Sequence, residues 1–199
     1  MNILNIELLF IIFISLKMKN EKIILGIDPG TNIMGYGLIK KCNNKIQCLH
    51  LDVIMLNKIT CHNMKLKKIF ETTNKIITTY HPNEIAIEAP FFGKNAQSML
   101  KLGKAQGAVI TAGIINNIPI TEYAPKKIKL AITGRGQASK EQVAGMLVQM
   151  LKLSKTPKYL DATDGLAAAV CHALQNNLTN TNKKHTWLQF VKNNPTRIN

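Results

Sequence analysis

Apolar positions along this chain change period several times, and each change marks an element. Ile23 to Asp28 is a nearly continuous apolar run, the pattern of a short strand buried on both faces. Pro29-Gly30-Thr31-Asn32 then reads as a turn, residues 33 to 40 as a second strand, and the loose alternation over 45 to 56 as a third. Connections this short favour an antiparallel three-stranded start. From Leu66 the spacing becomes helical, through Ile69, Phe70, Ile76, Ile77 and Tyr80. After Pro82, residues 84 to 88 form a short strand ending in Glu88. Residues 95 to 116 predict a helix rich in Gly and Ala, a composition that allows close helix contact and that makes it a candidate for part of a subunit interface. A fifth strand is expected over 118 to 123.

Two further helices complete the pattern. Ser139-Lys140-Glu141-Gln142 has capping-box form ahead of the stripe Val143, Met146, Leu147, Met150 and Leu151. The last core helix is expected to start with Asp161 as its N-cap and to turn Leu166, Ala169, Val170, Ala173 and Leu174 inward. The order, βββαβαβ followed by helices, predicts an α/β fold with a mixed five-stranded sheet flanked by helices. There is no internal repeat. We expect an N-terminal extension over 1–17, with the native start at Met18, one domain over 18–178, and a basic tail over 179–199 in which Trp187, Phe190 and Val191 make one amphipathic turn. The apolar run over 3 to 16 is short for a membrane span, which takes roughly 20 residues, and it lacks the flanks of a signal peptide.

Charge narrows the function. Lys and Arg number 26 against 11 Asp and Glu, a formal charge of +15, so attraction to a polyanion such as nucleic acid is expected. Cys42, Cys48, Cys61 and Cys171 form no zinc or disulfide pattern and read as reduced thiols, which points to the cytoplasm. Against this basic background, three of the four aspartates, Asp28, Asp161 and Asp164, fall where an α/β fold can gather them, together with Glu88. Each alone has an ordinary explanation as a turn residue, a helix cap or an exposed strand end. Together they are two adjacent strand ends and one face of a helix start. Two carboxylates 4 Å apart repel by about 4 kcal/mol at an effective dielectric of 20, so such a cluster calls for cations. Oxygen-only ligands favour Mg²⁺ or Mn²⁺ over zinc. Two such ions can activate water and stabilise a leaving oxygen in phosphodiester hydrolysis.

At these residues the chain resembles the RuvC family of Holliday-junction resolvases, within the RNase H-like fold. Four ordered blocks carry the resemblance: Gly26-Ile27-Asp28-Pro29-Gly30-Thr31 leading to Gly35-Tyr36-Gly37; Ile87-Glu88 with Phe91, Lys94-Asn95 and Leu100-Lys101-Leu102-Gly103; Gly134, Gly136, Ala138 and Lys140 followed by Gln142-Val143; and Asp161-Ala162 with Asp164, Leu166 and Ala167. The resemblance implies a homodimeric endonuclease that nicks two opposing strands of a four-way DNA junction during recombination and repair. It places catalysis and two Mg²⁺ ions per subunit (or Mn²⁺) on Asp28, Glu88, Asp161 and Asp164, with Asp28 bridging. In-line attack by water would leave 5′-phosphate and 3′-hydroxyl ends. It assigns DNA contacts to Phe91, as an aromatic probe near the crossover, and to Lys94, Lys129 and Lys140. Branch-migration proteins of the RuvA and RuvB type are the implied partners. Thr163 and Gly165 stand where the family often has alanine, with Gly165 expected to loosen the helix, and Arg135 adds a cation to the glycine-rich loop. His172 reads as a satisfied core histidine. The alternatives are a basic junction-binding protein without catalysis and an actin-like ATPase. The latter lacks a second phosphate loop and the length for two lobes.

Overall fold

The structure, a computed structural model, describes residues 21–90, 95–154 and 157–181. Among these, β1 (Glu21–Asp28), β2 (Ile33–Cys42) and β3 (Lys45–Met55) are followed by α1 (His62–Tyr80), β4 (Glu84–Glu88), α2 (Ala96–Ile115) and β5 (Ile120–Tyr123). The helices α3 (Pro125–Thr133), α4 (Lys140–Leu151) and α5 (Leu160–Thr181) come last. The five strands form one sheet in the order β3-β2-β1-β4-β5. β1 pairs antiparallel with β2, and β2 with β3, while β1–β4 and β4–β5 are parallel. This is the mixed RNase H-like sheet expected from the sequence.

Helices cover both faces. Leu25, Ile27, Leu38, Ile85 and Ile87 pack on the side of α1 and α2. Ile24, Ile39 and Ala86 pack on the other side with Leu166, Ala169 and Val170 of α5, Ile128 and Ile132 of α3, and Val143 and Leu147 of α4. Both faces of β1 are therefore buried, which is why its sequence is apolar at nearly every position. α5 lies against the middle of the sheet, and small residues make that possible. Gly26 pairs with Gly37 on one side and Ala86 on the other, and Asp28 pairs with Gly35. A Cβ on Gly35 would stand 1.7 Å from the Asp161 carbonyl oxygen, and one on Gly26 would stand 2.2 Å from the Gly165 carbonyl oxygen. The backbone of α5 thus rests directly on that of β1 and β2.

Local chemistry sets the ends. The capping box of α4 forms as expected: the Ser139 hydroxyl accepts from the Gln142 backbone N–H at 3.3 Å, and the Gln142 side chain accepts from the Ser139 N–H at 2.9 Å. α2 is capped by Asn95, which accepts from the Ser98 N–H. Several elements differ from the sequence reading. α1 begins at His62, ahead of its apolar stripe. β5 begins only at Ile120, because Asn117 turns the chain at φ 56° and Pro119 has no N–H for the ladder. α3 has no bounds in the sequence reading, although Lys129 fits a solvated helix face there. It is short, with Ile128 and Ile132 as its buried residues, so its periodicity is slight. Its boundaries were nevertheless written in the chain, with Pro125 at the first turn and Gly134 closing it at φ 73°. The tail turn at Trp187, Phe190 and Val191 lies outside the described residues. All four cysteines are free. Among the described residues no helix is long and apolar enough to cross a membrane.

Candidate active site

Parity along the strands aims two of the acids. Side chains alternate faces in a strand, so Asp28 shares the α5 side with Ile24 and Gly26, and Glu88 shares it with Ala86. Because β1 and β4 are parallel neighbours, with Ile27 opposite Ile87, both carboxylates emerge at the same carboxyl-terminal edge of the sheet. The first turn of α5 lies over that edge. Asp161 is not its N-cap: the helix already includes Leu160, which places Asp161 and Asp164 one turn apart inside it. Asp28, Asp161 and Asp164 each offer a carboxylate oxygen, and the three oxygens lie within 4.8 Å of one another. Glu88 stands beside this trio and, with Asp28, Pro29, Ala89, Pro90 and Leu102, lines a small cleft.

The electrostatics fit a site built for cations. Burial, then the fields of Glu88 and Asp164, hold the Asp28 carboxyl well above its ordinary range. Burial followed by Asp164 pushes Glu88 up to about 7. Asp164 is also raised, by burial first, although Lys140 opposes the shift. Lys140 pairs with Asp164 directly and lies 3.8 Å from Asp161. Burial works to lower the Lys140 pKa, but the bond to Asp164 and the fields of Asp164, Asp28 and Asp161 carry it above its usual value. Lys129, on α3, is close enough to favour the charged forms of Glu88 and Asp164. The donor set is all carboxylate oxygen, the chemistry preferred by Mg²⁺ and Mn²⁺.

These shifts have a measurable sign. In metal-free protein the folded state holds protons on Asp28, Glu88 and Asp164 more tightly than the unfolded chain does. Stability therefore falls as pH rises from the ordinary carboxylate range through about 7, where Glu88 loses its proton. In EDTA, thermal unfolding from pH 5 to 8 should show this decline, and Glu88→Gln should flatten it. Metal binding must release those protons. Calorimetry at pH 6.5 in two buffers of different ionisation enthalpy should register net proton release, and divalent-metal affinity should rise toward pH 8.

Of the other residues singled out from sequence, Phe91 and Lys94 lie outside the described residues. Gly165 does not loosen α5. A Cβ there would meet the Tyr36 Cα at 2.6 Å, so this glycine lets the helix seat closely. Thr163 is buried and its hydroxyl donates to the Leu160 carbonyl. Arg135 lines a groove with Thr133, Ala138, Gln142 and Met146. His172 is the satisfied core histidine expected: Nδ1 meets the Tyr123 hydroxyl at 2.7 Å and Nε2 meets Glu84 at 2.8 Å. Truncating it leaves the buried Tyr123 hydroxyl without that partner, at a cost of about 1–3 kcal/mol before any cavity cost. His172→Ala should lower the melting temperature by about 3–10 °C and leave divalent-metal binding at the acid cluster within a few-fold of wild type. Leu102 as a wall of the cleft was not foreseen; its place beside Lys101 in the second block of the family resemblance was the available signal.

A mixed sheet of this order, with carboxylates on two adjacent strand ends and on the helix crossing them, defines an RNase H-like nuclease. The comparisons give the family. The model for "Crossover junction endodeoxyribonuclease RuvC" matches residues 24–172. The chain is 60% identical over 182 residues to the protein of that description from Christiangramia forsetii, covering 91% of this chain and 95% of that one. It is 55% identical to the Bacteroides fragilis counterpart, covering 89% and 96%. Among solved structures, Thermus thermophilus RuvC in complex with a Holliday junction substrate superposes with a TM-score of 0.74 at 30% identity, covering 79% of this chain and 96% of that one. The chain belongs to the RuvC family of crossover junction endodeoxyribonucleases.

Proposed function

We propose that this protein resolves Holliday junctions by nicking two opposing strands symmetrically, in homologous recombination and DNA repair. The observation that carries the reading is the convergence of Asp28, Asp161 and Asp164 within 4.8 Å, beside Glu88, in a chain of charge +15. These four acids are the residues that hold Mg²⁺, with Mn²⁺ as a substitute, and that serve catalysis. When bound, the metal supplies a Lewis acid that activates water and stabilises the leaving oxygen. The chain's own groups do the rest. The clustered carboxylates exclude an anionic substrate until their charge is offset. Lys140 offsets part of it through Asp164, and with Lys129 it presents ammonium groups to phosphates entering the cleft. Phe91 and Lys94 are the remaining DNA contacts in this reading. Products carry 5′-phosphate and 3′-hydroxyl ends.

Two symmetric nicks require two equivalent sites, which a homodimer with two-fold symmetry provides. Branch-migration proteins of the RuvA and RuvB type are the proposed partners, and the cytoplasm the proposed location. The test uses an end-labelled four-way junction with a homologous core, so that the crossover visits many sequences. Paired symmetric nicks with Mg²⁺, absent in EDTA and with Asp161→Asn, support the reading. Tight junction binding with no nicks in any divalent metal would instead mark a structural DNA-binding protein.

A further inference from the structure

Lys129 and Lys140 stand on α3 and α4, on one side of the acids. The other side of the cleft is basic as well. Leu102 of α2 lines the cleft with Asp28 and Glu88, and Lys101 and Lys104 lie next to it and two residues beyond it on the same helix. Both lysines are exposed, neither has an ion pair among the described residues, and α2 contains no acid. Facing them is the start of α1, with His62 and Lys65. Lys65 Nζ donates to the Thr31 carbonyl at 2.7 Å and to Asn32 Oδ1 at 3.2 Å, in the turn that follows Asp28.

His62 reports how closely these cations gather. Its Nε2 is shielded from solvent and has no hydrogen-bond partner among the described residues. Burial, then the fields of Lys104, Lys101 and Lys65, hold the imidazole below its ordinary pKa. Glu71, the acid of α1, pairs with Lys67 instead, and the first turn of α1 carries no acid. Like charges left unpaired at close range repel, and a polyanion relieves that repulsion. Lys101 and Lys104 are separated by about 4.5 Å of helical rise. With their flexible stems they can reach neighbouring phosphates of one strand, which advance about 3.4 Å each along the duplex axis.

We propose that Lys65, Lys101 and Lys104, with His62, form a second phosphate-binding wall across the cleft from Lys129 and Lys140, and that this wall holds the sugar–phosphate backbone of a duplex arm of the junction. The inference rests on the nuclease reading, which supplies the ligand class. The test compares the full-length protein with the double variant Lys101→Gln/Lys104→Gln and with a control, Lys45→Gln/Lys75→Gln. The control removes the same charge from exposed sites, Lys45 lying at the strand end opposite to Asp28. Fluorescence anisotropy in EDTA across a salt series measures affinity for an immobile junction without cleavage.

The α2 double variant removes two lysines from each of the two subunits on a junction, so it should reduce the salt slope by about 3.6, at roughly 0.9 per lost phosphate contact, and weaken binding at least about tenfold at 100 mM salt. The control should change affinity less than about twofold, and Lys101→Arg/Lys104→Arg should restore wild-type binding. Hydroxyl-radical footprints should lose protection over one stretch in each of two symmetry-related arms. Equal effects of the two Gln doubles, or an unchanged footprint, would overturn the wall. Failure of the nuclease reading looks different: wild type would bind linear duplex as well as the junction and produce no Mg²⁺-dependent nicks, whatever the α2 lysines do.

Discussion

Asp28→Asn is expected to reduce junction nicking by at least about a thousandfold while junction affinity stays the same or rises. Losing even one electrostatic stabiliser of a transition state commonly costs 10²–10³ in rate, and Asp28 is more central than that. Its oxygen is within 4.8 Å of those of both Asp161 and Asp164, and burial, then Glu88 on the adjacent strand, raise its pKa. An amide keeps the shape but removes the anionic ligand. It adds no charge to the cluster that phosphates must approach, so binding does not suffer. Single-turnover cleavage in Mg²⁺ and anisotropy in EDTA separate the two effects. A variant that nicks within tenfold of wild type would remove Asp28 from the chemistry; one that fails to bind would indicate a damaged fold. The same substitution should raise the melting temperature of metal-free protein near pH 8, since it deletes a buried charge whose neutral form the fold prefers.

Gly35→Ala is the second large effect, and it acts without touching an acid. The added methyl would fall 1.7 Å from the Asp161 carbonyl oxygen and 2.3 Å from its carbonyl carbon, both backbone atoms that no rotamer change can move. Either α5 lifts or β2 bends. Overpacking typically costs about 1–3 kcal/mol, occasionally more, and here backbone meets backbone, so a loss at or above the top of that range is expected. Whatever folded protein remains should have Asp161 and Asp164 displaced from Asp28. We expect a melting temperature lower by about 6–12 °C and nicking reduced more than about a hundredfold even where the protein is folded. Weakened divalent-metal binding by calorimetry is the direct readout. Gly103→Ala, with nothing within 4 Å of the new methyl, is the matched control and should be neutral or slightly stabilising.

How far the sequence reached can be seen in these two residues. Asp28 was legible because it ends an apolar run before Pro29-Gly30, and a strand buried on both faces has only its end free for a charged group. Glu88 was legible for the same reason, and the parallel pairing of β1 with β4 made the two neighbours. The pairing of Ser139 with Gln142 was legible because a capping box is a local motif. What stayed hidden was non-local or weakly patterned. Gly35 reads as a flexible strand residue until α5 is placed on it. α3 buries chiefly Ile128 and Ile132, too few to set a period, so the helix carrying Lys129 was given no bounds although Lys129 itself was named. The true start of α5 at Leu160 was masked because aspartate is so common a cap. The wall of Lys65, Lys101 and Lys104 joins residues 36 or more apart on two different helices, and no local spacing announces it.

The order in which the acids appear along the chain also has a consequence during synthesis. Asp28 and Glu88 leave the ribosome early, on strands that can pair at once, whereas Asp161 and Asp164 arrive only with α5, the last described helix. Until α5 settles on the glycines of β1 and β2, the nascent protein has half a site and an open sheet face. On the proposed assignment of catalysis to the four acids, a chain whose translation stops before that helix would lack Asp161 and Asp164 and would not cut. On that assignment, competence to cut would come only once α5 is made, and copies ending before it would pose no nicking hazard.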